Sequence, residues 1–408
     1  MRYRSLVQLA RGTGRRSRGA LPLLAALVWL FAGLGLVACK KEGKPAEGGA
    51  KVGVESGRAA ASAEPRIETF EMRSAKLSAF AGEDVVMKAA VLTPKDYDPR
   101  QTYPGFYYVH GFGGNAKFAA KRYGERIAAR MREGDGPRMI YVFLDGSHPM
   151  GHHVFADSAN MGPWGTALVE ELVPALEDRY ALEPSASGRF LGGHSSGGWS
   201  SLWIQITHST EFGGVWSTAP DPVDFRDFTG IDIYTFDNAY VTPAGETVQL
   251  MYRDGKPRKS VREYVAHEVA TQPTSGQFFS FDAVFSPKSD DGLPRLMFDR
   301  ETGAIDREVA EAWRAYDISH LLRTQWKVRA ATLSGKLHVI CGTQDTFGLH
   351  RPLRLLEQEL RAVGSDALFL FVEGRDHFDL YKPHPELFPD GLRPWIEAQV
   401  LATYERSH

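Results

Sequence analysis

Three short segments carry residue types suited to acyl transfer. The first reads Gly193-His194-Ser195-Ser196-Gly197-Gly198. A serine with glycine two residues to either side fits a sharp strand-to-helix turn, which exposes the hydroxyl and leaves room for the turn to pack. Phe190-Leu191 precedes it as a strand would. Leu202, Trp203 and Ile206 follow at helical spacing. That helix would point its N-terminus at the serine, where free N–H groups favour negative charge. Ser195 is the candidate nucleophile. Ser196 fits the motif less well, because His194 would then stand where the first glycine belongs.

The second and third segments supply an acid and a base in the order that such a site uses along the chain. Val339-Ile340-Cys341-Gly342-Thr343-Gln344-Asp345 is an apolar run followed by a carboxylate. Phe369-Leu370-Phe371-Val372-Glu373-Gly374-Arg375-Asp376-His377 is a later run followed by histidine. Asp345 would hold the imidazole of His377 in one tautomer, and the imidazole would take and return the serine proton. Asp376 and Asp379 are fallback acids, but their closeness in sequence to His377 makes the geometry harder. An earlier run ends in Val109-His110-Gly111-Phe112-Gly113-Gly114. A turn there could aim a backbone N–H at a developing oxyanion. Phe112 is the expected donor, with Gly113 as the alternative, and the N–H of Ser196 would supply the second.

These residues need a framework that brings them to one edge. Strands are expected at 67–74, 84–92, 106–109 and 139–144, then at Phe190-Leu191, Val215-Trp216, 337–340 and 368–372. Between them lie amphipathic patterns, with Leu168, Leu172 and Leu176 on one face and Leu353, Leu356 and Leu360 on another. Unbroken apolar runs alternating with helices indicate an α/β fold with a mostly parallel sheet and helices on both faces. One connection, from Val215 to Leu337, is far longer than such links require. It carries hairpin signals at Asp254-Gly255 and Thr302-Gly303, and helical patterns at 259–270 and 306–323. Residues 220–325 therefore read as an inserted cap within a domain spanning 65–408, with a separate domain as the other reading. Phe278, Phe279, Phe281 and Phe285 are expected in the core of the cap.

The N-terminus has a different character. Arg2, Arg4, Arg11, Arg15, Arg16 and Arg18 precede an apolar run from Ala20 to Ala38, and Leu36-Val37-Ala38-Cys39 closes it. This is the layout of an export signal over residues 1–38. The last four residues resemble a bacterial lipobox, which implies lipid on Cys39 and a membrane-anchored, exported protein. An uncleaved membrane anchor is the alternative. Residues 39–64 lack large apolar side chains and read as a flexible tether. The only other cysteine, Cys341, sits in an apolar run and is expected as a buried strand residue. With 408 residues, a formal net charge of -2 and no basic stripe in the body, the chain is a poor partner for nucleic acid.

The motifs together resemble the Putative esterase family that includes esterase D and the enterochelin esterase-like proteins. The resemblance rests on His110-Gly111-Phe112-Gly113-Gly114, Gly193-His194-Ser195-Ser196-Gly197-Gly198, Gly342-x-x-Asp345 and Asp376-His377. It implies an α/β-hydrolase fold and a carboxylic-ester hydrolase without metal or organic cofactor, acting on a small-molecule or polysaccharide ester. The insertion departs from shorter members, which leaves the substrate open. A serine peptidase of the same fold and a non-catalytic surface binding protein are the competing readings.

Other residues could serve a site. His148, His152 and His153 lie near Asp145 and Asp157, but their spacing matches no metal signature. Their loop follows a strand and should reach the carboxyl edge of the sheet, where ligands bind. His153, Asn160 and Trp164 are therefore candidate substrate contacts. Asp221, Asp224 and Asp227 recur every third residue, yet lack the glycine and terminal glutamate of a calcium loop. Capping and turn roles suit them better.

Overall fold

The computed structural model describes residues 57–408. They fall within one compact unit, Val54–His408. The export signal at 1–38, Cys39 and most of the tether lie outside the described residues. The described end of the tether is packed rather than free. Ala59 is buried and its N–H donates to the Arg179 carbonyl at 2.8 Å, and Ser62 N–H donates to the Tyr97 carbonyl at 3.0 Å. Backbone pairing needs no large side chain, so composition gave no signal for it.

Eight strands form the central sheet: β1 (Arg66–Ser74), β2 (Val85–Thr93), β3 (Gly105–Val109), β4 (Ile140–Leu144), β5 (Arg189–His194), β6 (Gly214–Thr218), β7 (Leu337–Gly342) and β8 (Leu368–Val372). Their order is β1-β2-β4-β3-β5-β6-β7-β8. The pairings β1/β2 and β2/β4 are antiparallel, and the other five are parallel. Every residue of β3, β4 and β6 is buried, which is why these strands read as continuous apolar runs. Because β3 to β8 run parallel, the loops leaving them gather at one edge. His110, Asp145, Ser195, Ala219, Asp345 and His377 all follow those strands.

The helices that matter for the site are α1 (Ala75–Ala81), α2 (Glu125–Glu133), α3 (Val173–Arg179), α4 (Ser196–Thr207), α5 (Val261–Thr271), α6 (Gln277–Phe285), α7 (Arg307–Trp313), α8 (Ile318–Leu333), α9 (His350–Ala362) and α10 (Leu392–Ser407). Leu168, Leu172 and Leu176 are fully buried, but the helix that carries them passes through a π segment at Leu168–Leu172. The segment between β6 and α8 holds α5 to α7 and a small hairpin, Gln249–Arg253 with Lys256–Ser260. Asp254 (φ 52°) and Gly255 (φ 69°) form its turn. Thr302-Gly303 also turns, with Gly303 at φ 82°, but single bridges flank it in place of strands.

The helix expected over 306–323 is two helices. Asp317 takes extended backbone and accepts from His320 N–H, so it ends one helical run and caps α8. The aromatic residues of the insertion form its core, as expected: Phe278, Phe279, Phe281 and Phe285 are all buried. Phe285 lies 5.2 Å between ring centroids from Trp313 and 5.2 Å from Trp199 of α4, so the insertion core is continuous with the helix behind Ser195.

Candidate active site

β5 ends at His194, and the chain turns into α4 through Ser195 at φ 60°, ψ -126°. A non-glycine residue in that region is held there by its surroundings. Ser195 N–H donates to the Thr218 carbonyl at 3.1 Å, and its carbonyl accepts from Trp199 N–H at 3.0 Å. The glycines are explained by close approach. A Cβ at Gly193 would overlap the Gly197 carbonyl, and a Cβ at Gly197 would overlap the Val109 carbonyl. The turn can therefore pack only without those side chains.

His377 and Asp345 are brought together. The His377 ring Nδ1 lies 2.7 Å from Asp345 Oδ2, and both side chains are buried. Burial pushes the Asp345 carboxyl up, but the His377 charge and hydrogen bond, with the N–H groups of Phe347 and Leu349, outweigh it and hold the carboxyl below its usual range. Asp376 and Asp379 are engaged otherwise. Asp376 accepts from the N–H groups of Phe378 and Asp379, and Asp379 accepts from Asp376 N–H and pairs with Arg375.

The loop after β3 passes close to Ser195. A Cβ at Gly111 would lie 3.4 Å from Ser195 Cβ and 4.0 Å from its Oγ. His110 pins this loop to the next one, since its Nε2 accepts from Gly146 N–H at 2.9 Å. Phe112 and Gly113 follow directly, with Gly113 at φ 74°. Ser196, the first residue of α4, is buried at the other side of the turn.

The family model described as Putative esterase matches residues 84–348. The chain belongs to the Putative esterase family. It is accordingly a carboxylic-ester hydrolase. Among solved structures, a ferulic acid esterase aligns over 84% of this chain and 98% of its own, with a TM-score of 0.50 and 16% identity. FphF, a fluorophosphonate-binding serine hydrolase of Staphylococcus aureus, aligns over 84% and 99% with a TM-score of 0.49 and 12% identity. An S-formylglutathione hydrolase from Agrobacterium tumefaciens aligns over 85% and 96% with a TM-score of 0.46 and 17% identity. At such identities, the match to the ferulic acid esterase establishes a shared fold, that of the α/β-hydrolases. No curated protein matches the chain. The family match ends before His377, so that residue rests on the geometry given above.

In this esterase the three expected substrate contacts, His153, Asn160 and Trp164, are buried. His153 is fully buried and stacks on Trp164 with centroids 3.7 Å apart. Its Nδ1 accepts from Phe155 N–H and its Nε2 lies 3.2 Å from the Asp145 carbonyl, so neither nitrogen is left for a ligand. Trp164 Nε1 donates to the Met161 carbonyl at 2.9 Å. The Asn160 amide nitrogen donates to the carbonyls of Ala283 and Ser286, tying the loop after β4 to α6. The loop leaves β4 at the expected edge, and the Asn160 amide nitrogen binds it to the insertion while its Oδ1 has no hydrogen-bond partner among the described residues. His152 is committed in the same way, to Val154 N–H and the His110 carbonyl. Among the described residues, no three His, Cys, Asp or Glu side chains are grouped to hold a metal ion.

The three aspartates after Pro220 diverge. Asp224 pairs with Arg226 and Asp227 with Arg351. Asp221 turns toward Ser195, a placement its sequence setting did not reveal. Its Oδ2 accepts from Ser196 Oγ at 2.5 Å, and its Oδ1 accepts from Ser195 Oγ at 3.4 Å. The one available signal was position: Asp221 lies just past the end of β6, at the edge of the sheet that also carries Ser195. Gln277, the first residue of α6, also reaches it, with Nε2 3.5 Å from Oδ2.

Proposed function

We propose that this esterase works through an acyl-serine intermediate on Ser195, with His377 as general base and Asp345 as its orienting acid. The observation that carries the reading is the buried 2.7 Å contact between His377 Nδ1 and Asp345, at the edge that presents the Ser195 turn. A proton on Nδ1 donated to Asp345 leaves Nε2 with its lone pair. Nε2 takes the Ser195 proton as Oγ attacks the ester carbonyl, and returns it to the leaving alcohol. Water then attacks the acyl-serine with the same nitrogen as base, releasing the acid. The N–H groups of Phe112, just after the Gly111 that approaches Ser195, and of Ser196 are assigned to the tetrahedral oxyanion. The resting hydroxyl donates to Asp221, so Ser195 must rotate toward His377 before it reacts.

A fluorophosphonate probe followed by peptide mass spectrometry tests this reading. The adduct is expected on Ser195 and absent in Ser195→Ala. An adduct on Ser196, or labelling that survives Ser195→Ala, overturns the assignment. We further propose that the enzyme is exported and held at a membrane by lipid on Cys39, supported by the basic and apolar sequence before that residue. Palmitate incorporation in the producing cell should be lost in Cys39→Ser. Incorporation retained by that variant would rule the anchor out.

A further inference from the structure

Asp221 is 5% exposed and lies directly beside the nucleophile. An ionised carboxylate only accepts hydrogen bonds, so each of its oxygens requires a donor when buried. In the resting enzyme this requirement is met. Oδ2 takes Ser196 Oγ at 2.5 Å and Gln277 Nε2 at 3.5 Å, while Oδ1 takes Ser195 Oγ at 3.4 Å. The backbone holds the carboxylate in place, since Asp221 N–H donates to the Ser195 carbonyl at 3.3 Å. Burial pushes Asp221 up to about 6, against the pull of the Ser196 hydroxyl and the His377 charge, so the group is ionised at pH 8.

Catalysis removes one of these donors. When Ser195 gives its proton to His377 and its oxygen becomes acylated, Oδ1 loses its hydrogen bond. A buried acceptor left without a donor is strongly unfavourable. The acyl carbon is bonded to Oγ itself, so a substituent on the next carbon comes within reach of Oδ1. We infer that Asp221 is a specificity-determining residue that favours esters whose acyl group carries a hydrogen-bond donor, a hydroxyl or an ammonium, on the carbon next to the carbonyl. Such a donor replaces the one that Ser195 withdraws, and an alkyl group of the same shape leaves Oδ1 unpaired. This rests on Ser195 being the nucleophile and adds the substrate class.

The test compares phenyl lactate, phenyl alaninate and phenyl isobutyrate, which differ mainly in a hydroxyl, an amino group that donates whether or not it is protonated, or a methyl at one position. Hydrolysis at pH 8 is measured for the wild type, Asp221→Asn and Asp221→Leu. Ratios of kcat/KM between esters, compared across variants, cancel their intrinsic reactivities. The wild-type preference for lactate or alaninate over isobutyrate should exceed that of Asp221→Leu by roughly 10- to 100-fold. Asp221→Asn keeps one acceptor oxygen and should retain part of a preference for lactate. A gain for alaninate alone identifies the amino group as the favoured donor, and a gain for lactate alone the hydroxyl. Fluorophosphonate labelling of each variant confirms a folded site. Equal ratios in the wild type and a labelled Asp221→Leu overturn the inference, as does a wild type that hydrolyses neither donor-bearing ester. Loss of Ser195 labelling in the wild type overturns the acyl-serine reading instead.

Discussion

His194 Nε2 donates to the backbone carbonyl of His377 at 3.0 Å, so the residue before Ser195 supports the loop that carries His377. The two rings stand 4.5 Å apart. Burial, and then the neighbouring His377, push His194 down to about 3, so its ring is neutral at pH 7. A neutral imidazole has one N–H, and a carbonyl can only accept. The proton therefore sits on Nε2. The other nitrogen lies 3.2 Å from Thr218 Oγ1, whose hydroxyl also contacts Tyr381 at 2.8 Å.

Replacing that tie should separate rate from binding. His194→Phe keeps a planar ring and removes the N–H, so the His377 loop can drift. A displacement of about 1 Å costs on the order of 100-fold in rate. We expect kcat to fall by about 10- to 100-fold with KM little changed. In His194→Gln the amide N–H can reach the same carbonyl, and kcat should recover in part. A rise in KM at constant kcat would instead make His194 a binding residue.

Asp345→Asn should show whether the acid acts through the His377 tautomer. An amide offers Nδ1 a donor where the carboxylate offered an acceptor, which turns the ring proton to Nε2. Loss of the orienting carboxylate in a triad lowers kcat by about 10⁴. The same change at Asp376 or Asp379 should leave kcat close to wild type, because those carboxylates serve backbone N–H groups and Arg375. A variant at either position that loses as much as Asp345→Asn would move the acid there.

That Ser195, Asp345 and His377 share one edge of the sheet was legible, because each follows an apolar strand and a parallel sheet sends such loops to one edge. The sheet was legible for the same reason. Asp221 was not. Nothing in Ala219-Pro220-Asp221-Pro222 distinguishes a turn residue from one facing Ser195, since that depends on where the insertion, through Gln277, meets it. The burial of His153 and Trp164 was not legible either. Their loop reaches the edge, but stacking on each other buries both rings. The break at Asp317 was hidden because only a 3-10 turn, Arg314–Tyr316, and that capping aspartate separate α7 from α8.

Glu268 provides a pH-dependent test of the insertion. From α5 it accepts from the N–H groups of Gln277 and Phe278 at 2.5 and 3.1 Å, which caps α6. Burial pushes its carboxyl up from 4.5 to about 7, against those two N–H donors and the Arg300 charge. The folded state thus holds this proton more tightly than the unfolded chain. Ionisation of Glu268 therefore destabilises the fold, increasingly as pH rises from about 4.5 to about 7, and fully above that. Glu268→Gln has no such titration. Its stability relative to wild type should rise between pH 5 and pH 8, as read from denaturant midpoints. Parallel pH profiles for the two proteins, or a wild type that gains on the variant as pH rises, would show that Glu268 does not titrate in this window.

Phe285 should reveal whether the insertion stands or falls with the sheet. Its ring lies 5.1 Å from Tyr316, 5.2 Å from Trp313 and 5.2 Å from Trp199, with centroids as the reference points. Trp199 belongs to α4, whose first turn carries the Ser196 N–H assigned to the oxyanion. Removing a buried phenylalanine ring costs about 3–5 kcal/mol through lost burial and the cavity left behind. Phe285→Ala should lower stability by that amount, and Phe285→Leu by less. Because the ring bridges two aromatic clusters, the insertion should not melt separately. Tryptophan fluorescence and esterase activity should be lost at one denaturant midpoint in both variants, as a single cooperative transition requires. Activity lost well before the fluorescence change would mean that the insertion opens as an independent unit, and that Phe285 packs within it without coupling it to α4.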